Sequence, residues 1–331
     1  MSPRKLRVHI ENTSRNTGIA RITPQHWAAA CARHRVLARR LEVTLGSDGD
    51  RLEAALADAR VLIGVPARRE QLAVRAPRLE WLHAMSAGID SLLPLAWLPR
   101  GVAFTNNSGA HGHKACQYMM MAYNLLNSRM PAIIANQQRR QWKQLFSPDI
   151  AGKTAVIVGM GDLGESAARA AKALGLHVIG VRRSTQKNRH ADRIVSFRQL
   201  DRVLPQADFV VIAVPLTQQT RHLLDGKRLD LLKPAAGVIN IARGPVIDIA
   251  ALATRLRTGR IAGAVLDVVD PEPLPAASPL WRVPNLILTP HISCDDGERY
   301  IDLSLDLWFA NLARFVAGKP LQHRIDPKLG Y

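Results

Sequence analysis

At 331 residues, with 47% apolar and 22% charged side chains, the chain has sequence for roughly two globular domains and too little polarity for a disordered polymer. Its formal net charge of +18 favours anionic partners such as phosphate-bearing cofactors and carboxylates, but aromatics at 5% and scattered basic pairs (Arg39-Arg40, Arg68-Arg69, Arg139-Arg140, Arg182-Arg183) argue against a base-stacking nucleic-acid platform. No apolar run approaches the about 18 residues a membrane span needs, residues 1–10 lack the apolar core of a secretory signal, and Cys31, Cys116 and Cys294 show neither disulfide-framework nor zinc spacing, so a cytoplasmic, metal-free protein is expected.

In chain order, short β-rich runs alternate with helical patterns: strands at Leu6–Ile10, Glu42–Leu45, Val61–Val65 and Leu79–Met85, helices over 25–39 and 50–58. This alternation predicts an α/β unit with a parallel sheet. A Met- and Leu-rich helix over 113–129 and a polar stretch, Asn136–Gln144, lead to a second series. Its strands are predicted at Thr154–Val158, His177–Val181, Asp208–Val214, Val238–Ile241, Ala262–Leu266 and Asn285–Leu288, with helices over 163–174 and 248–258. Six strands make a doubly wound sheet. A last helix is predicted over 299–316. The two long helices flanking the sheet read as crossovers between domains, with the cleft between the domains as the place for a ligand.

Gly159-Met-Gly-Asp-Leu-Gly164 follows the first strand of the second series and opens an alanine-rich helix that stops at Gly175. The pattern alone is weak, but its strand, helix and following strand stand where a dinucleotide-binding βαβ unit needs them. Gly159 permits the tight turn, Gly161 lets backbone approach a pyrophosphate, and Gly164 allows close helix–strand packing. At the end of the second strand, where an acid would bind an adenosine ribose, stand Arg182-Arg183-Ser184. Two guanidiniums and a hydroxyl suit a 2′-phosphate, so NADP(H) is expected over NAD(H). Further strand ends carry Arg243, Asp267, Glu272 and His291, which border the ligand crevice of such a sheet. Singly, an arginine can be a surface ion-pair partner, a glutamate an exposed loop acid and a histidine a satisfied structural ring; the ordered strand ends make them a constellation. His111-Gly-His113 has no third ligand at metal spacing, and Met119-Met-Met121 reads as helix packing.

Asn240-Ile-Ala-Arg-Gly-Pro-Val-Ile-Asp248, Gly263-Ala-Val-Leu-Asp-Val-Val-Asp-Pro-Glu-Pro273, Leu288-Thr-Pro-His-Ile-Ser293, Ala207-Asp-Phe-Val-Val-Ile-Ala-Val-Pro-Leu-Thr217 and Ser86-Ala-Gly-Ile-Asp90 together resemble the D-isomer-specific 2-hydroxyacid dehydrogenase family along essentially the whole chain. The resemblance implies two doubly wound parallel-sheet domains. A Rossmann domain that binds NADP, residues 111–295, would be inserted in a flavodoxin-like substrate domain, residues 1–110 and 296–331. It implies reduction of small 2-oxo acids such as glyoxylate or hydroxypyruvate, usually by a homodimer built through the cofactor domain.

The roles it implies are these. Arg243 holds the substrate carboxylate and polarises the carbonyl, His291 gives and takes the proton, and Glu272 orients the imidazole and favours its charged form. Asp267 faces the nicotinamide side, and backbone at Ser86, Ala87 and Gly88 helps bind the carboxylate. The cofactor contacts extend over Gly159, Gly161, Asp162, Leu163, Gly164, Arg182, Arg183, Ser184, Val214, Pro215, Thr220, Ile241, Ala242, Arg243, Asp267, His291 and Ser293. The chain departs from the family pattern at Gln117, where an acid is usual, at Arg182-Arg183, and at Val269-Asp270, which replaces an aromatic-acidic pair. Two other functions occur on this fold: oxidation of a small anion such as phosphite or formate, and cofactor sensing by a corepressor-like binding protein. Formate enzymes characteristically carry glutamine where Glu272 stands.

Overall fold

The computed structural model describes residues 5–14, 18–184, 186–327 and 329–330; the expectation about a leader over residues 1–10 falls partly outside them. The chain divides into two compact units, Met1–Ala110 with Asp296–Tyr331, and His111–Asp295.

The first unit runs β1 (Leu6–Asn12), α1 (Pro24–Arg33), α2 (Arg35–Ala38), β2 (Leu41–Ser47), α3 (Leu52–Leu56), β3 (Val61–Ile63), α4 (Leu72–Arg75), β4 (Trp81–His83) and β5 (Ala103–Thr105). Its five strands are parallel in the order β2-β1-β3-β4-β5, the flavodoxin-like order. Alternation sorts the side chains by face. Val61, Ile63 and Trp81 enter one buried cluster, and Leu62, Leu82 and Phe104 the other. Both faces are covered, which is why these strands read as continuous apolar runs.

The helix expected over 25–39 is interrupted. Thr23 caps α1 in a reciprocal box with His26, and Pro24 supplies a preset first turn, but His34 leaves helical geometry at φ −117°, ψ 41°. Its ring stacks on Phe309 with centroids 4.4 Å apart, and its Nε2 lies 2.7 Å from Asp306. Strand β5 goes beyond the four strands expected here: three residues carry no readable period, and pairing with β4 defines them.

The second unit continues with α5 (Gly112–Asn127), α6 (Met130–Gln138), β6 (Thr154–Val158), α7 (Asp162–Ala173), β7 (His177–Val181), β8 (Arg193–Val195), α8 (Leu200–Val203), β9 (Phe209–Ile212), α9 (Gly226–Asp230), β10 (Gly237–Asn240), α10 (Ile249–Arg257), β11 (Gly263–Leu266) and β12 (Leu286–Leu288). The sheet is parallel, in the order β12-β11-β10-β9-β6-β7-β8. The six expected strands are joined by a seventh, the short edge strand β8, whose Arg-Ile-Val is too brief to read as a strand. The polar stretch expected from Asn136 is helical as far as Gln138, because Pro131 starts α6 in the first turn.

Strand order reverses between β6 and β9, and the crevice at such a reversal opens beyond the carboxyl ends of the strands. Helix α7 packs its buried alanines close against α5, where the Tyr123 hydroxyl reaches the Ala167 carbonyl at 3.3 Å. The chain then returns to the first unit with α11 (Tyr300–Val316), whose Trp308 stacks on Trp81 at 5.4 Å. No described helix is long and apolar enough to cross a membrane.

Candidate active site

Backbone sterics build the turn between β6 and α7. Gly159 has φ +98°, and a Cβ there would sit 2.3 Å from the Ala213 carbonyl oxygen, so the turns after β6 and β9 abut. A Cβ at Gly164 would lie 1.8 Å from the Gly159 carbonyl oxygen. Gly161, the N-cap of α7, behaves differently: a Cβ there meets nothing within 4 Å. Two glycines are demanded by the chain itself, and the third leaves open space in front of the first-turn N–H groups. Those donors and the helix dipole suit an anion. Room and polarity fit the pyrophosphate of a dinucleotide, with Asp162, Leu163 and Gly164 forming the first turn.

Beyond β7, Arg182 is half-buried and Arg183 and Ser184 are exposed. The nearest acid along the chain, Asp192, is turned to the opposite end of the strand, where it bonds Lys172 Nζ at 2.9 Å and the Val178 N–H at 2.8 Å. That contact holds its carboxylate below the ordinary range, led by the Lys172 bond. It is thus not available to a ribose at the carboxyl end. After β9, Val214 is buried, and Thr220 Oγ1 staples the loop by donating to the Pro215 carbonyl at 2.7 Å and accepting the Thr217 N–H at 2.8 Å.

The end of β10 is shaped by Asn240, whose side chain spans the Ala242 N–H and the Arg243 carbonyl, both at 3.0 Å. Ile241 and Ala242 are buried, and Arg243 is half-buried with Nη1 donating to the Ala242 carbonyl at 2.6 Å. A Cβ on Gly244 would fall 2.2 Å from the Val269 carbonyl carbon, so only glycine lets the Arg243 turn meet the segment after β11. Val269 in turn donates its N–H to Glu272 Oε1 at 3.0 Å, and Glu272 Oε2 lies 2.8 Å from His291 Nδ1. Adjoining strand ends therefore bring Arg243, Glu272 and His291 into one neighbourhood. The carboxylate can only accept, so Nδ1 carries the proton toward Glu272 and Nε2 is left for other chemistry. The two side chains are 47% and 36% exposed, open enough for a small solute.

Asp267 is placed differently from its sequence-based expectation as a residue facing the nicotinamide. Its side chain is 1% exposed and bonds the turn that carries His291, taking the Ile292 N–H at 2.9 Å and the Ser293 N–H at 3.0 Å. Sequence reasoning missed Gly244 and two further contributors, Tyr118 and Thr289. Thr289 stands in a quoted motif without a role, and Tyr118 looks like any core residue of α5.

In the first unit, the Ser86 carbonyl accepts the Asn107 N–H at 3.1 Å and the Ala87 carbonyl accepts from Asn106 Nδ2 at 2.6 Å. The Ser86 hydroxyl donates to the Gly88 carbonyl at 2.8 Å. Of the histidine pair expected to lie in a loop or hinge, His111 Nδ1 lies 3.3 Å from Asp295 and His113 lies 3.3 Å from Gln117 on the same helix. Among the described residues no group of three His, Cys, Asp or Glu side chains could hold a metal ion.

A family model described as "D-isomer specific 2-hydroxyacid dehydrogenase, NAD binding domain" matches residues 119–293. A glyoxylate reductase of Thermococcus gammatolerans is 32% identical over 254 residues, 74% of this chain and 75% of that protein. A D-isomer specific 2-hydroxyacid dehydrogenase from Xanthobacter autotrophicus, solved with NADPH and MES, superposes with a TM-score of 0.83 at 28% identity, covering 98% of this chain and 99% of that one. An NADPH-dependent glyoxylate/hydroxypyruvate reductase from Sinorhizobium meliloti, solved with NADP and sulfate, gives a TM-score of 0.81 at 29% identity, covering 99% and 100%.

Proposed function

The chain belongs to the D-isomer specific 2-hydroxyacid dehydrogenase family, and from that premise we propose that it reduces small 2-oxo acids, glyoxylate or hydroxypyruvate foremost, to D-2-hydroxy acids with NADP(H). The observation that carries this reading is the Glu272–His291 pair, 2.8 Å apart, at strand ends beside Arg243. A bound nicotinamide supplies the hydride. The chain supplies binding, orientation and the proton. Arg243 offers a permanently charged fork of donors to the substrate carboxylate and carbonyl oxygen. His291 gives a proton from Nε2 to that oxygen as it gains charge, and takes it back in the oxidative direction. Glu272 holds the tautomer and favours the charged ring.

NADP(H) is the preferred dinucleotide in this reading. Its support is the Arg182-Arg183-Ser184 run, the diversion of Asp192, and the NADP(H) bound in the two relatives just described. The assembly is read as a cytoplasmic homodimer. Support for the location is three unbridged cysteines. Support for the dimer is the irregular segment 141–149, which holds Trp142 99% and Phe146 81% exposed beside a cavity of about 820 Å³ lined by Asn136, Arg139 and Lys143. Sedimentation at twice the chain mass is the expected result.

The deciding experiment follows NADPH absorbance across a panel of 2-oxo acids. Turnover of glyoxylate or hydroxypyruvate is expected, with NADPH favoured over NADH. No oxidation of either dinucleotide with any member of the panel would overturn the reading.

A further inference from the structure

His291 sits in backbone geometry that a side-chain-bearing residue rarely adopts, with φ +55°. Something must hold the turn there, and Asp267 does so from both ends of its structure. Its carbonyl accepts the His291 N–H at 2.8 Å, and its carboxylate accepts the N–H groups of Ile292 and Ser293.

A third donor reaches that carboxylate: Thr289 Oγ1 lies 2.6 Å from Asp267 Oδ1. Tyr118, projecting from α5, places its hydroxyl 2.7 Å from Thr289 Oγ1. The direction of this line follows from proton counting. A carboxylate has nothing to donate, so the single Thr289 hydroxyl proton goes to Asp267, and the Tyr118 hydroxyl must donate to Thr289. Burial pushes the Tyr118 phenol up, so it keeps that proton through the neutral range. The result is a one-way chain of donors, Tyr118 to Thr289 to Asp267, ending on the carboxylate that shapes the His291 turn.

We propose that Tyr118 and Thr289 are positioning residues for His291: acting through Asp267, they hold the Thr289–Ser293 turn in the conformation that sets the imidazole against Glu272. Neither is required to touch substrate. The inference rests on the reading of His291 as the proton-transfer group, but its geometric content stands apart from turnover.

The test uses the full chain, its Tyr118→Phe, Thr289→Val and Thr289→Ser variants, and two readouts. The first is steady-state reduction of glyoxylate by NADPH. Losing one ordinary hydrogen bond's worth of positioning lowers kcat about fivefold in Tyr118→Phe, and about tenfold in Thr289→Val, with KM for NADPH within about twofold. Thr289→Ser keeps the hydroxyl and restores most of the rate. The second readout is the Nδ1–H proton resonance of His291 in histidine-labelled protein, assigned with His291→Gln. It is expected in the parent chain and in Thr289→Ser, and weakened or moved in the other two.

Parent-like kcat and an unmoved resonance in Tyr118→Phe overturn the inference. So does a Thr289→Ser variant as slow as Thr289→Val, which would make the methyl group, and not the hydroxyl, the part that matters. If Thr289→Val does not fold, Tyr118→Phe, which removes one oxygen, decides alone. An inactive parent chain whose resonance nonetheless responds to the variants would bring down the proposed activity and leave the positioning role standing.

Discussion

Glu272 joins its own strand end to a ring nineteen residues further along the chain: Oε1 accepts the Val269 N–H at 3.0 Å while Oε2 holds His291 Nδ1 at 2.8 Å. The imidazole thereby takes its orientation from the segment after β11 as well as from its own turn. The carboxylate matters as a charge and as a bracket, and the two can be separated by substitution.

Glu272→Gln keeps the shape and loses the charge. The imidazolium is then less favoured, so the alkaline limb of 2-oxo acid reduction moves to lower pH and kcat falls about tenfold or more. His291→Ala lowers kcat by more than about a hundredfold while NADPH affinity stays within about threefold. Rate profiles against pH and fluorescence titration of NADPH measure both. An unshifted limb in Glu272→Gln would remove the electrostatic role.

Arg243→Lys keeps the charge and loses the planar fork. Bidentate pairing with a carboxylate is no longer open to it, so KM for the 2-oxo acid rises about tenfold and kcat falls with it. Kinetics indistinguishable from the parent chain would show that Arg243 serves only its own turn, where it donates to the Ala242 carbonyl.

The two glycines Gly161 and Gly164 separate ligand space from chain space. Gly161→Ala places its Cβ where the chain has no atom within 4 Å, so the melting temperature stays within about 2 °C while NADPH binding weakens about tenfold. Gly164→Ala drives a Cβ to 1.8 Å from the Gly159 carbonyl oxygen, so stability falls by about 2 kcal/mol or more along with binding. Equal effects of the two variants on melting would contradict this division.

Removal of both guanidiniums, Arg182→Ala with Arg183→Ala, lowers the preference for NADPH over NADH about tenfold or more, chiefly through NADPH. The effect shrinks as salt rises. A parallel titration of the two reduced dinucleotides reads it directly, and an unchanged ratio would make these arginines ordinary surface charge.

His83 lies fully buried in the first unit, and burial, followed by the charge of His323, holds its imidazole down to about 3 against an ordinary 6.5. Between these values the unfolded chain binds a proton that the folded chain refuses. The contribution is therefore complete above pH 6.5 and is lost progressively as pH falls toward 3, a few kcal/mol in all. Urea midpoints measured from pH 7 to pH 4.5 should fall, and a His83→Gln chain should fall less. Equal slopes in the two chains would assign the loss to other groups.

Strands β6 and β7 were readable to the residue because each is an apolar run with turn-forming residues at its ends and both faces of its sheet are covered. The glycines of the phosphate turn, the arginines after β7 and the Arg243, Glu272 and His291 motifs were equally legible, since each is a local pattern tied to a local backbone demand. Strands β5 and β8 were not: at three residues, pairing with a neighbour decides what period cannot. The break at His34 depends on Phe309 and Asp306, which lie on α11. Gly244 depends on Val269 lying against it. What the linear order of residues determined was the set of elements and the chemistry available at their ends. What only folding decided was which donors meet which acceptors, as when Tyr118 meets Thr289 across 171 positions, because a hydrogen bond depends on distance and direction in space and sequence separation carries neither.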